Sequence, residues 1–417
     1  MDLLATPPRR KVLFGLLYLS EGAPIGFIWL GLPTRWRAME IPVDQITWLM
    51  ALLIMPWTLK FLWAPLVDLL RGPRWGFRHW ILASQSVMAI ALLPLLWLDV
   101  REQFSAVAAC LLFHAFAAAT QDISIDALCV NESQPIERGS LNGWMQCGVM
   151  VGRAAMGGGS LILERYIGFA GVVGVLIALI MVSALALTKA RESSIGFAAA
   201  LAMEADGARQ SAFFMRLRTL ASELFTAIRT GGMGRAFLFA LFAPAAFKSL
   251  EAVLGPLLID HGYSEFAVGQ FTATTMIGAM IVGSLFAGRI SRHVQGTRFV
   301  AIALIVNLVA IVSLAVVDRW LEGQKGGHVL VLLTAVAFTI GWLTVALYHW
   351  LMNLTSPKLA ATQFTAFMAA TNACEAWSTS LLGSLQVRLG YPAAILILCV
   401  ISAAAIVLLV PAKKQPA

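Results

Sequence analysis

The sequence predicts an all-α integral membrane protein with twelve transmembrane helices in two six-helix halves. Of its 417 residues, 59% are hydrophobic and only 12% are charged, whereas soluble domains carry about one-quarter charged residues. The mean hydropathy is +0.81. The apolar residues are grouped in segments close to the ~20 residues that cross a bilayer. Composition and spacing therefore both favour a multispan membrane protein.

Twelve such segments divide the chain. They are 12–32, 46–66, 79–98, 104–126, 140–163, 167–188, 236–258, 266–288, 299–317, 328–352, 359–386 and 391–411. The longest polar stretch, 189–235, separates the sixth span from the seventh, so we expect halves at 1–188 and 236–417. Within this linker, residues 213–228 have the pattern of a basic amphipathic helix on the inner leaflet.

The positive charges predict the orientation. Loops on the side of the N-terminus hold 20 of the 30 Lys and Arg, and the opposite loops hold seven. Because cytoplasmic loops carry the excess of Lys and Arg, both termini are predicted to be cytoplasmic. The net charge of +8 is thus explained by topology, and we expect no nucleic-acid partner.

The sequence has no signature of an enzyme or of a metal site. Its five cysteines lie in or beside apolar segments, without a C-x-x-C pair or a histidine at ligand spacing. A P-loop, a zinc-binding histidine pair, a G-x-S-x-G motif and a dinucleotide-binding fingerprint are all absent. We expect a monomeric transporter of a small molecule, without a cofactor and without direct use of ATP.

Charged residues inside predicted spans are the main functional signal. Each costs about 2.5–3.5 kcal/mol at the bilayer centre on insertion scales, so each one retained needs a partner or a function. These residues are Glu21, Lys60, Asp122, Asp126, Arg153, Lys248, Glu251 and Glu375.

In the first half, Glu21 lies in "YLSEGAPIGF", where Gly22 and Pro24 interrupt the helix and free backbone groups to line a cavity. It is a candidate for substrate or proton binding, the alternative being a protonated carboxyl bonded to a neighbouring helix. Lys60 is either an anchor whose amine reaches the membrane surface or a site for an anionic substrate.

In the second half, Lys248 and Glu251 are three residues apart and share a helical face. They form either a neutral internal pair or part of a substrate and proton pathway. Glu375 lies among polar residues in "TNACEAWSTS", which is typical of a cavity wall. We assign all three to the pathway together with Glu21 and Lys60.

Two cytoplasmic loops have related sequences, which supports a repeat. "APLVDLLRGPRWGFRHW" follows the second span and "GSLFAGRISRHVQGTRF" follows the eighth. The first carries Asp68 and Arg71, which we expect to act in a gate, and the second has Gly288 where an Asp is expected. The two loops have the pattern of the signature loop of the major facilitator superfamily, whose halves are parallel repeats.

Several motifs resemble one branch of that superfamily, the AmpG-like anhydromuropeptide permeases and acetyl-coenzyme A transporters. They are "EGAPIGF" at 21–27, "KFLWAPLVD" at 60–68, "ATQDISIDA" at 119–127, "ERGSLNG" at 137–143 and "ATQFTAFMAA" at 361–370. The resemblance implies a proton-driven importer of cell-wall fragments in the bacterial inner membrane. Related twelve-span members of the RhtX/FptX type import ferric siderophores, and this chain is similar to them in its span number.

The resemblance also assigns Asp122 and Asp126, which lie four residues apart on one helical face. They match the family's pair at the cytoplasmic end of the fourth span. We expect them to face Arg138, Arg153 or the loop after the second span and to hold the inward gate. One of them is alternatively the proton carrier, although Glu21 is the preferred candidate for that role.

The sequence therefore predicts a proton symporter in which Glu21, Glu251 or Glu375 loads a proton outside and releases it inside. Two other hypotheses stay open. An exporter on the same fold would differ only in the direction of flux, and a membrane-bound enzyme would need a nucleophile or base near the surface, for which no histidine with partners is found.

Overall fold

A computed structural model of the chain describes residues 2–70, 75–192, 222, 232–291, 293–294, 296–321, 326–354 and 360–409. Every regular element in these ranges is a helix. Ten of the helices described there are long and apolar enough to cross a membrane. The amphipathic helix predicted at 213–228 lies almost entirely outside the described residues.

The described α-helices follow one another along the chain. In order they are α1 (Pro7–Gly26), α2 (Leu32–Ala38), α3 (Val43–Leu59), α4 (Ala64–Leu69), α5 (Phe77–Leu92), α6 (Phe104–Glu132), α7 (Pro135–Met156), α8 (Gly158–Thr188), α9 (Met233–Phe242), α10 (Ala245–Asp260), α11 (Glu265–Gln270), α12 (Ile277–Ile290), α13 (Gly296–Trp320), α14 (Gly327–Leu354) and α15 (Ala360–Ala404). Short π or 3₁₀ turns extend several of them, at Phe27–Gly31, Lys60–Leu62, Leu93–Leu96, Phe271–Met276 and Ala405–Leu408.

Two long helices, α8 and α15, each cover parts of two predicted spans, and each contains a glycine with positive φ that divides it. Gly168 has φ 69° inside α8 and Gly390 has φ 78° inside α15, a conformation that glycine adopts without strain. Gly168 divides α8, so that its first part continues from α7 as the fifth span and its second part is the sixth. Gly390 divides α15 into the eleventh and twelfth spans.

Contacts group the helices into two units that differ from the halves expected from sequence. Unit 1 contains Met1–Gly31 and Leu59–Thr219, and unit 2 contains Leu32–Thr58 and Leu220–Ala417. The segment 32–58, which carries α2 and nearly all of α3, thus belongs to the first half by sequence and to unit 2 by contact. The division into two six-helix halves stays a prediction.

In unit 1, α1 and α7 pack closely along their length. A Cβ on Gly148 of α7 would lie 2.2 Å from the carbonyl oxygen of Gly15, and one on Gly152 would lie 2.5 Å from that of Leu19. Small residues let two helix backbones approach in this way inside a membrane. The packing brings α1 alongside a buried core that includes Leu17, Ile125 and their neighbours.

Candidate functional site

A polar cluster in unit 1 contains four side chains from three elements: Tyr18 of α1, Lys60 of the turn after α3, and Asp122 and Asp126 of α6. The Lys60 ammonium forms an ion pair with Asp122 Oδ2. The Tyr18 hydroxyl donates to Asp126 Oδ1 at 2.5 Å and lies 3.3 Å from Asp122 Oδ1. The two carboxyl groups therefore share one hydroxyl, and one of them also contacts an ammonium.

The break after α3 positions Lys60. Pro65 cannot continue that helix, because its ring would clash with the carbonyl four residues earlier, and the chain forms a 3₁₀ turn at Lys60–Leu62. Trp63 fixes this turn against α6, since its Nε1 donates to Thr120 Oγ1 at 3.2 Å and its ring lies 5.5 Å from that of Phe116. The lysine thereby reaches Asp122 of α6.

Glu21 lies one helical turn after Tyr18 on α1 and is 5% exposed. Its charge acts on both Lys60 and Tyr18. Behind it, Gln85 of α5 donates to Ser183 of α8 at 2.6 Å and to Ser20 of α1 at 3.3 Å. These bonds hold α1, α5 and α8 together beside the cluster.

A second ion pair lies in unit 2. Lys248 Nζ of α10 is 2.6 Å from Glu375 Oε2 of α15, with 22% and 18% of the two side chains exposed. The ammonium also lies 5.9 Å from the centre of the Phe247 ring, and Glu251 acts on it electrostatically. α15 thus brings a second carboxylate to Lys248 beside Glu251, its expected neighbour on α10.

Of the partners expected for Asp122 and Asp126, which were Arg138, Arg153 and the loop after the second span, Arg153 is the one whose side chain the structure describes. Arg153 is exposed and forms no ion pair within the described ranges. The backbone of Arg153 adjoins α1, since a Cβ on Gly26 would lie 2.4 Å from its carbonyl oxygen, but its side chain is not the cation on α6. Lys60 is the cation that contacts Asp122.

The remaining predicted gate residues are described less fully. Asp68 lies on α4 and Arg138 on α7, but their side chains, and the whole of Arg71, lie outside the described part of the chain. Within the described ranges, no three His, Cys, Asp or Glu side chains are grouped so as to hold a metal ion.

Sequence reasoning missed Tyr18 and a charged group near the other end of the spans. In that group Arg37 Nε contacts Asp260 Oδ1 at 2.6 Å, Tyr391 donates to Asp260 Oδ2 at 2.8 Å, and His261 pairs with Asp318. All five residues belong to unit 2. The fact that these charges lie close to the ends of apolar segments is the only signal that the sequence carries for them.

Comparison with known proteins agrees with this architecture. The family model described as Major Facilitator Superfamily matches residues 14–379. The anhydromuropeptide permease of Escherichia coli (strain K12) is 26% identical over 368 residues, covering 87% of this chain and 71% of that protein. The putative transporter AmpG 4 of Rickettsia conorii is 22% identical over 388 residues, covering 90% of each chain.

A solved structure has the same fold. A single-residue mutant of the nucleoside transporter NupG superposes with a TM-score of 0.69 over 95% of this chain and 98% of that one, at 14% identity. The fold class and the resemblance to AmpG-like proteins predicted from the sequence are both confirmed. This multi-pass membrane protein belongs to the major facilitator superfamily.

Proposed function

We propose that this chain is a proton-coupled importer of anhydromuropeptides in the bacterial inner membrane, with both termini in the cytoplasm. Its family supports transport of a small molecule rather than catalysis. The substrate class is supported by the relative named anhydromuropeptide permease, which aligns over 87% of this chain. The 20 of 30 Lys and Arg on one side support the orientation.

The observation that carries proton coupling is the cluster of Tyr18, Lys60, Asp122 and Asp126. One ammonium faces two carboxyl groups that share one hydroxyl. With both carboxyls ionised, the four side chains carry a net negative charge inside a membrane-spanning segment, which is costly. A proton on one carboxyl makes the cluster neutral. Asp122 is the carboxyl that pairs with the ammonium, whereas Asp126 accepts from the Tyr18 hydroxyl.

Asp126 is therefore our candidate for the proton carrier in place of Glu21. Glu21 would tune the cluster through its charge on Lys60 and Tyr18. Loss of the proton from Asp126 would leave a net negative charge in the cluster, which favours a conformation that exposes it to water. Asp122 would keep Lys60 in place during this change.

The pair in unit 2 is our candidate for binding the substrate. Anhydromuropeptides carry the carboxylates of their peptides, and Lys248 is a half-buried ammonium in contact with an aromatic ring. A substrate carboxylate could replace Glu375 on Lys248 without leaving the ammonium unpaired. Glu251 would assist by its charge, and Asp68, Arg71 and Arg138 would act in the inward gate, as the family resemblance implies.

The test is uptake into right-side-out vesicles under an imposed inward proton gradient, comparing a labelled anhydromuropeptide with a panel of ferric siderophores. We expect gradient-dependent accumulation of the muropeptide alone. Gradient-dependent accumulation of a siderophore alone would contradict the proposed substrate and would agree with the proposed proton coupling. The span number does not favour the siderophore, because a relative named AmpG 4 is matched over 90% of its length by this twelve-span chain.

The carrier is tested with Asp126→Asn, which keeps the side chain's size and removes its charge. We expect it to abolish accumulation against a gradient and to spare exchange of labelled for unlabelled substrate. Asp99→Asn, in the loop between α5 and α6, is the matched control and should keep both activities. Full accumulation by Asp126→Asn would exclude Asp126 as the carrier.

A further inference from the structure

The segment 32–58 is the part of the chain where sequence and contacts disagree. By sequence it runs from the end of the first span through the connection into the second span, yet its contacts group it with the helices of the second half in unit 2. In a transporter of two repeats that rock against each other, a segment of the first repeat held by the second must be released in each cycle. The contacts that hold the segment are therefore contacts that must break during transport.

Close helix packing is the first element that holds it. A Cβ on Gly255 of α10 would lie 1.9 Å from Thr34 Oγ1, and one on Gly383 of α15 would lie 1.7 Å from Thr47 Oγ1. Both threonines are fully buried. Thr47 is also fixed on its own helix, since its hydroxyl donates to the Val43 carbonyl at 2.9 Å. Only glycine leaves room for α2 and α3 at these two points.

A charged contact is the second element. Arg37 Nε lies 2.6 Å from Asp260 Oδ1, and the Tyr391 hydroxyl donates to the other carboxylate oxygen at 2.8 Å. Both oxygens of Asp260 are thus used, one by the end of the first span and one by the start of the twelfth. Arg37 Nη1 also donates to the Ile41 carbonyl at 3.2 Å, which steadies the guanidinium.

A second pair of opposite charges lies nearby. Arg35 of α2 and Glu265 at the start of α11 act on each other electrostatically. Side chains of Arg37 and Asp260 are 27% and 23% exposed. Partly exposed ion pairs contribute little net stability, so contacts of this kind hold a segment and still break within a transport cycle.

We propose that Arg37, Asp260 and Tyr391, together with the glycine contacts at Gly255 and Gly383, form the outer gate of this transporter. In the closed gate, the ends of the first and second spans are held on α10 and α15. Opening requires that Arg37 leave Asp260 and that Thr34 and Thr47 withdraw from the two glycines. The inference rests on membership of the family and, for the side of the membrane, on the orientation proposed above, and it needs neither the substrate nor the coupling ion.

The gate is tested by measuring the distance between two spin labels. The labels are placed on Ala38→Cys, at the exposed end of α2, and on Trp320→Cys, where the native side chain is 83% exposed. The five native cysteines are replaced, and double electron–electron resonance is recorded on purified protein in lipid nanodiscs without substrate. We expect one main distance in the otherwise unaltered protein, because the closed gate fixes α2 in unit 2.

Arg37→Ala should add a population at longer distance and raise the open fraction by up to roughly fivefold. Gly383→Ala should raise it roughly fivefold or more. Gly278→Ala on α12 is the matched control, since nothing lies within 4 Å of its added Cβ. Distance distributions of Arg37→Ala and Gly383→Ala that equal the control would overturn the proposal.

Two rescues separate gating from misfolding. Thr47→Gly added to Gly383→Ala removes the three atoms nearest the new methyl group and should restore the short distance. The exchange Arg37→Asp with Asp260→Arg should restore it as well, whereas Asp260→Arg alone should not. Failure of both rescues in protein that remains folded would contradict the gate. Because the experiment uses no substrate, its result is independent of the uptake test.

Discussion

The ammonium of Lys60 contacts the carboxylate of Asp122, although the two residues are 62 positions apart in the chain. The contact joins the turn after α3 to α6 within unit 1. Asp122 also lies 3.3 Å from the Tyr18 hydroxyl, which itself donates to Asp126. The pairing of Lys60 with Asp122 therefore offsets the negative charge that Asp122 exerts on Asp126. It also links the stability of unit 1 to the proposed proton site.

Removing one partner of this pair should cost more than removing both. Lys60→Met leaves Asp122 without its cation, and we expect a loss below the roughly 3–5 kcal/mol found for buried pairs, because 26% of the Lys60 side chain is exposed. Lys60→Met with Asp122→Asn should recover part of that loss. The measurement is the midpoint of thermal unfolding in detergent for the four proteins of the double-mutant cycle.

Lys189→Met, at an exposed position after α8, is the control for loss of a lysine. Additive effects of Lys60→Met and Asp122→Asn would show that the two side chains do not stabilise each other.

Substitutions in the unit 2 pair should have opposite effects on substrate affinity. Lys248→Gln removes the ammonium that we propose to bind the substrate carboxylate. The lost interaction is a charged hydrogen bond of about 1.5–3 kcal/mol, so the Kd should rise roughly 10- to 150-fold. Glu375→Gln removes the competing carboxylate, so its Kd should equal that of the native protein or be lower. Isothermal titration with an anhydromuropeptide measures both.

Lys189→Gln is again the control, with an unchanged Kd. A rise in Kd for Glu375→Gln as large as that for Lys248→Gln would indicate that the ion pair itself, and not the free lysine, maintains the site.

The fold could be predicted from the sequence because a bilayer leaves few alternatives. Apolar segments of about 20 residues must be helices, since every backbone polar group needs a partner in lipid. Of the two internal breaks, Gly390 falls in the predicted connection between spans 359–386 and 391–411, and Gly168 is the second residue of the predicted span 167–188. The partners of the intramembrane charges could not be predicted in this way, because they depend on which helices become neighbours.

The unit 2 pair illustrates this limit. Helical spacing indicated Glu251 as a neighbour of Lys248, but it gave no sign of Glu375, which is 127 residues away in sequence and contacts the lysine. Tyr18 was missed because a single tyrosine in an apolar helix has no pattern of its own. Arg37 was predicted only as one of the charges that set the orientation, and its contact with Asp260 depends on the packing of α2 in unit 2.

The pair of His261 and Asp318 should make stability depend on pH. Burial alone would lower the pKa of His261, but the hydrogen bond and the charge of Asp318 outweigh it and raise the pKa above its ordinary value. A group whose pKa is raised by folding contributes stability below its unfolded pKa of about 6.5, and this contribution is lost as the pH rises through the folded pKa. The native protein should therefore lose stability from about pH 6.5 upward.

The measurement is the unfolding midpoint between about pH 6 and pH 9 for the native protein and for His261→Gln. At the acidic end the variant should be less stable than the native protein, because it lacks the charged pair with Asp318. At the alkaline end the unfolding midpoints of the two proteins should converge. His293→Gln, at an exposed position, is the control and should follow the native curve. A constant difference between native protein and His261→Gln at all pH values would contradict a role for the charge of His261.

The close approach of α1 and α7 gives a prediction on stability that involves no charge. A Cβ on Gly148 would lie 2.2 Å from the carbonyl oxygen of Gly15, and since that oxygen belongs to the backbone, one of the helices must move. We expect Gly148→Ala to cost about 1–3 kcal/mol, the usual range for overpacking. Gly174→Ala on α8 adds the same methyl group where nothing lies within 4 Å. It should be neutral or stabilise by roughly 0.4–1 kcal/mol, because alanine restricts the unfolded chain. If thermal unfolding shows equal losses for the two variants, the penalty comes from replacing glycine as such and not from the close approach of α1 and α7.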